Sequence, residues 1–246
     1  MIFQKKNKMN LNFNIWEGKF KDFAESKQKF STSNFEVNHY QKKLTQDFNL
    51  SYKNFLKKKL IDVNLTSRSV NLPFLVSTLN KKNKIKILDF GGGLGISYLY
   101  LLQCLPHLKS KIEYTIIELN EICEIGKKNN LNINFLKEIP KKKFDIIFSS
   151  SAIQYTEKWK KTLDQLTNLK SKYILLSDVF LTKNPSFVTI QNYYSAKIPQ
   201  WFFNEKIFIQ IFKKNYYKLI FKDIVRAKRL DFENILPMQN FNLKYR

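Results

Sequence analysis

Apolar positions along this chain recur in two rhythms. One is a period-two or fully apolar run of four to seven residues. The other is a three-to-four spacing over ten or more. Between residues 84 and 245 the two alternate. Strands are predicted at 84–90, 113–118, 133–136, 144–149, 173–177, 216–222 and 241–245. Helices fall between them at 94–105 (stopped by Pro106), 119–129, 157–168 and 205–214. Trp159, Leu163 and Leu166 form the inner face of the third, and Asn204 caps the fourth. Strand and helix in alternation predict an α/β domain: a Rossmann-like, doubly wound, mostly parallel seven-stranded sheet.

Before and within this domain the rhythm differs. Residues 1–14 are polar. Trp16, Phe20 and Phe23 share one face if residues 15–24 are helical. Tyr40, Leu44, Phe48, Tyr52, Phe55 and Leu56 make an apolar stripe on a helix over 35–65. A further helix over about 64–79 is expected to kink or start late at Pro73. The organisation expected is an N-terminal helical lid or cap over 1–65 and a binding domain over 66–246. An irregular aromatic insertion occupies about 180–203. The N-terminal helices serve either as a packed layer or as a cover for the site, and the two roles are compatible.

Composition changes this picture little. The chain has 246 residues, 43% apolar and 15% aromatic, enough for a packed core. Its net charge is +23, which suggests a polyanionic partner. All but four of its 43 basic residues are lysines, however, and Asn, Ile and Phe are also abundant. That joint bias is the one AT-rich codons impose, and it favours a generally lysine-rich surface over a nucleic-acid footprint. Cys104 and Cys123 form neither a disulfide framework nor a CxxC site, so a reducing, cytoplasmic setting is expected. No run of about 18 apolar residues or signal-type segment is read, so no membrane span is expected.

The first strand runs into Asp89-Phe90-Gly91-Gly92-Gly93-Leu94-Gly95. A phosphate-binding loop needs GxxxxGK[ST], and none is present. A dinucleotide loop needs GxGxxG, but Ile96 or Tyr98 stands where the last glycine belongs. What fits is GxGxG after an acid. On these residues the chain resembles the class I S-adenosylmethionine-dependent methyltransferases. The resemblance implies S-adenosylmethionine as cofactor, held by Asp89, Gly91, Gly93 and Gly95. The glycines admit backbone N–H groups to the ligand, the helix start suits its carboxylate, and Asp89 suits its amine. Glu118 closes the next strand, about 25 residues beyond Gly93, where such folds place a ribose acceptor. Glu138, Ser149 and Gln154 stand near the family's adenine and methyl-group positions. The serines also suit a simple polar turn.

More narrowly, Trp16-x-Gly18-x-Phe20, Ser151-Ala152-Ile153-Gln154-Tyr155 and Val188-Thr189-Ile190-Gln191 through Pro199 resemble a bacterial group of methyltransferases associated with surface-glycan biosynthesis. Asn34-Phe35 stands where that group tends to have Gly-Tyr, which bears on the alignment of His39. The acceptor is expected to be a small molecule or a sugar-type glycan precursor. His39, Tyr155 and Asp178 are the catalytic candidates; His107 is expected to be structural. No histidine has metal-ligand spacing, so no metal is expected. Base-modifying signatures are missing: Ser149-Ser150-Ser151-Ala152 replaces an Asn/Asp-Pro-Pro-aromatic stretch, and neither cysteine follows a proline. An RNA methyltransferase using the basic surface, or a non-catalytic cofactor-binding partner subunit, remains the alternative.

Overall fold

The computed structural model describes residues 15–32, 38–59, 67–79, 83–129, 131–193, 196–224 and 239–245. In chain order the elements are β1 (Trp16–Phe20), α1 (Phe23–Lys29), α2 (Asn38–Leu56), α3 (Ser67–Ser77), β2 (Ile85–Phe90), α4 (Ile96–Cys104), β3 (Ile112–Ile117), α5 (Asn120–Lys127), β4 (Ile133–Leu136) and β5 (Ile146–Ser150). There follow α6 (Trp159–Asn168), β6 (Tyr173–Val179), β7 (Leu181–Thr182), β8 (Phe187–Tyr193), β9 (Ala196–Asn204), α7 (Glu205–Lys214), β10 (Tyr217–Ile224) and β11 (Gln239–Tyr245).

Seven strands form the main sheet in the order β10-β11-β6-β5-β2-β3-β4, with β11 antiparallel to both its neighbours and the rest parallel. Both faces are covered at its centre, which is why β2, β3, β5 and β6 are largely apolar. Ile87, Ile146 and Leu175 pack on one side with α3 and α4; Leu88, Ile147 and Leu176 pack on the other with α6 and α7. Each pair is adjacent in sequence, as the alternation of a strand requires. The predicted inner face of α6 is buried: Trp159, Leu163 and Leu166. Asn204 caps α7 by accepting from the Ile207 N–H at 3.1 Å. α4 is buried on most sides because α2 and α3 lie over it as well as the sheet.

Two expectations fail in the peripheral layer. Residues 16–20 are a strand, not a helical face. A spacing of four suits one side of a helix, yet in β1 the two side chains part, Trp16 to Phe180 and Phe202 and Phe20 to Val188 and Ile190. Gly18 decides it: it takes φ +68° within β1, where the register against β8 shifts. A Cβ there would lie 2.5 Å from the Phe20 ring. The 180–203 segment is also regular. It forms β7, β8 and β9, which with β1 make a second sheet in the order β1-β8-β9-β7. Pro199 argues against a strand, yet it is accommodated in β9 opposite Ile190, since the two-residue β7 meets β9 only at Phe203 and Asn204. The helix expected around Pro73 is α3, with Pro73 inside it. No helix among the described residues is long and apolar enough to cross a membrane.

Candidate active site

A cleft of about 610 Å³ opens over the carboxyl ends of β2, β3, β5 and β6, where parallel α/β sheets bind ligands. Its floor is the turn after β2. Gly91, Gly93 and Gly95 all have positive φ (+72°, +57° and +93°), a conformation that side chains rarely adopt. Each also lacks room. A Cβ on Gly91 would stand 2.2 Å from that of Ala152, and one on Gly95 would stand 2.5 Å from Ile133. Gly95 precedes α4 in the left-handed region, and no side chain caps that end of the helix with a hydrogen bond. Leu44 of α2 lies over Gly93, 3.2 Å from where its Cβ would be.

Glu118 stands at the cleft wall, just past β3. Its Oε1 accepts from the Gly93 N–H at 3.0 Å and its Oε2 from the Leu119 N–H at 2.8 Å. Burial raises its pKa, and these two donors oppose the rise. A carboxylate has further lone pairs to offer a ligand. Asp89 lies behind the turn, 1% exposed, and lines a smaller cavity of about 220 Å³ with Gly91 and Gly92. The Tyr114 hydroxyl donates to its Oδ2 at 2.7 Å. Burial pushes Asp89 up to about 7, against the pull of that hydroxyl and with the push of the Glu118 charge. Gly92 gives this carboxylate its space, since a Cβ there would lie 2.5 Å from Oδ2.

The opposite wall comes from β5, β6 and the second sheet. Ser151 and Asp178 follow or end neighbouring strands, and both are held at positive φ, +53° and +56°. Ser151 Oγ donates to Asp178 Oδ2 at 2.9 Å, and the Ser151 N–H donates to the Ser177 carbonyl at 3.0 Å. From beneath, Gln154 Nε2 donates to the Asp178 carbonyl at 3.3 Å. Tyr155 faces the cleft with its hydroxyl donating to Gln191 Oε1 at 2.7 Å. The Tyr40 and Tyr193 rings meet edge-on, 6.3 Å apart, at the mouth. Burial raises the Tyr40 pKa, followed by the charges of Glu118, Tyr193 and Tyr155.

Gly91, Glu118, Tyr155 and Asp178 thus line one cleft, with Gly93 bound to Glu118 and Asp89 just behind. Glu138 is exposed, and the neighbouring Lys137 lines the cleft instead. Ser149 and Gln154 are buried behind the lining. The Ser149 Oγ has no hydrogen-bond partner among the described residues. His39 belongs to the α2 backbone, but its side chain lies outside the described residues. His107 is exposed in the six-residue 3-10 helix Pro106–Lys111 after α4. Among the described residues no group of three His, Cys, Asp or Glu could hold a metal ion. Sequence reasoning missed Tyr40, Ser151, Gln191 and Tyr193 as cleft residues. Ser151 was legible as the residue ending the serine run after a strand; the others come from elements that only folding brings to the sheet.

No family model and no curated protein matches this sequence. Solved structures do resemble it. Magnesium protoporphyrin IX methyltransferase from Synechocystis PCC 6803, determined with bound S-adenosylmethionine, is 11% identical, with a TM-score of 0.52 over 92% of this chain and 93% of that one. Burkholderia thailandensis 1,6-didemethyltoxoflavin-N1-methyltransferase, determined with 1,6-didemethyltoxoflavin and S-adenosylhomocysteine, is 14% identical. Its TM-score is 0.50 over 87% of this chain and 92% of that one. The chain, with its largely parallel seven-stranded sheet, has the fold of these S-adenosylmethionine-dependent methyltransferases.

Proposed function

We propose that this protein is an S-adenosylmethionine-dependent methyltransferase acting on a small-molecule or glycan-precursor acceptor. The observation that carries the reading is the joining of the glycine turn to a cleft-wall carboxylate through the Gly93 N–H and Glu118. The residues fit the cofactor. The glycines hold the turn in left-handed backbone packed against Ala152, Leu44 and Ile133, a shape that other residues would not fit. Glu118 offers lone pairs to a ribose, and Asp89 supplies negative charge for an amine. When bound, the cofactor supplies a methyl group on a sulfonium. The protein's part is to hold donor and acceptor in line and to exclude water. Tyr40 and Leu44 of α2 and Gln191 and Tyr193 of β8 lie over the cleft and the turn, so α2 and the 180–203 segment act together as its cover.

The RNA alternative has less support. Lys84, Lys86, Lys111, Lys143, Lys170 and Lys172 line a basic concavity at the amino ends of the strands. That is a six-residue strand, roughly 20 Å, from the cleft. The cleft itself carries Glu118 and Asp178 against Lys137. Calorimetry with S-adenosylmethionine and S-adenosylhomocysteine tests the reading. Both should bind wild type, and Gly93→Arg or Glu118→Ala should weaken them at least tenfold. No binding to the folded wild-type protein refutes it.

A further inference from the structure

The cleft has two halves of different chemistry. Gly91, Glu118 and Lys137 belong to β2, β3 and β4. Tyr155, Asp178 and Tyr193 belong to the side of β5, β6 and the second sheet. Lys137 and Asp178 follow or end strands four places apart in the sheet, about 19 Å at the usual strand spacing. The second half therefore has a carboxylate and aromatic faces with no described lysine in its lining, in a protein of net charge +23. That contrast is informative because lysine is abundant elsewhere on the surface.

The carboxylate is placed at a cost. Asp178 and Ser151 both hold left-handed backbone, and outside glycine that region is sparsely populated. Strain of this kind persists where surrounding structure imposes it. Here the Ser151 hydroxyl fixes the Asp178 carboxylate and Gln154 fixes its carbonyl. Tyr155 is oriented by Gln191, and Tyr40 and Tyr193 form an edge-on corner. Aromatic faces beside a carboxylate are the surroundings that stabilise an organic cation.

We propose that the acceptor is an amine, bound at Tyr155, Tyr193 and Asp178, and that the reaction is N-methylation. The inference rests on the donor reading above. The lone pair of the neutral amine attacks the methyl carbon of the sulfonium donor. The N–C bond forms as the C–S bond breaks, and the electron pair of that bond stays on sulfur, leaving a thioether. The positive charge thus passes from sulfur to nitrogen, next to Asp178. The ammonium proton then leaves to the Asp178 carboxylate or to water. A hydroxyl acceptor would instead pass its proton to the Asp178 carboxylate and leave a neutral ether, with no lasting cation for the aromatic faces and carboxylate to stabilise.

The test uses choline and its neutral isostere 3,3-dimethylbutan-1-ol, titrated into wild-type protein with and without S-adenosylhomocysteine. Choline should bind at least tenfold more tightly. Asp178→Asn should abolish that preference and leave S-adenosylhomocysteine affinity within twofold. Asn suits the left-handed backbone and can still accept from Ser151, so this variant keeps the fold. Tyr193→Leu should halve the preference or more. Equal affinity for the two probes overturns the proposal, as does a preference that Asp178→Asn retains. In a transfer assay with methyl-labelled donor, benzylamine and aniline should take label over benzyl alcohol and phenol. Label confined to the hydroxyl compounds also overturns it, and where none is labelled the choline comparison decides. Choline preference without any binding of S-adenosylhomocysteine would refute the donor reading alone.

Discussion

Gly91→Ala probes the join between the two halves of the cleft. Gly91 has φ +72°, and its missing Cβ would stand 2.2 Å from the Ala152 Cβ. Two costs are separable. Holding an L residue in the left-handed region costs about 1–2 kcal/mol. Methyl carbons normally meet at roughly 3.5–4.0 Å, so the two loops must part by more than an ångström, and overpacking of this kind costs about 1–3 kcal/mol. Together these amount to roughly 2–5 kcal/mol, a large share of the ~5–15 kcal/mol that stabilises a typical domain. In urea titration, a loss of 3 kcal/mol lowers the midpoint by about 1 M at a slope of ~3 kcal/mol/M. Ala152→Gly in the same chain removes the overlap but not the backbone term. The double variant should therefore recover about 1–3 kcal/mol relative to Gly91→Ala. A loss under about 0.5 kcal/mol in Gly91→Ala, or no recovery in the double variant, would refute the reasoning.

Asp89 makes stability depend on pH in the opposite sense to a salt-bridged carboxylate. Its folded-state pKa, about 7, lies above the ordinary 3.8. Between those values the folded protein holds a proton that the unfolded chain has released. This contribution is complete below pH 4 and is lost as pH rises toward 7, at roughly 1.4 kcal/mol per pH unit at most. Asp89→Asn, which keeps an acceptor for Tyr114, should flatten that slope; a constant difference from wild type between pH 4 and 8 in urea midpoints counts against it. Trp16→Ala should destabilise the second sheet by about 3–5 kcal/mol, because Trp16 is buried edge-on between Phe180 and Phe202 at 5.7 and 5.1 Å. Hydrogen exchange across β8 and β9 reads that loss, and unchanged protection there would mean that β1 is dispensable.

The parts of the fold that local patterns specify were legible. The central strands β2, β3, β5 and β6 bury residues on both faces, so they read as apolar runs bounded by turns, and the turn after β2 is set by three glycines whose spacing has one good match. α7 was legible to its ends because Asn204 caps it and Asn215 closes it. The second sheet was not, because its pairing is non-local. β1 is five residues with a glycine bulge and takes its identity from β8. Likewise Glu138 is one residue out of place: position along the chain favoured it, but the exit of β4 brings Lys137 to the cleft instead. Tyr40 and Tyr193 come together from distant segments, and no spacing in the sequence relates them.

The pairing of β1 with β8 also sets an order of events during synthesis. The Glu17 carbonyl accepts from Thr189, 172 residues later in the chain. At about 5–20 residues per second the ribosome needs roughly 9–34 s to make that interval. Through that time Trp16 and Phe20 have no β8 to cover them. The strand that completes the second sheet is therefore made early and used late, and its apolar residues are a natural place for a chaperone to hold the nascent chain.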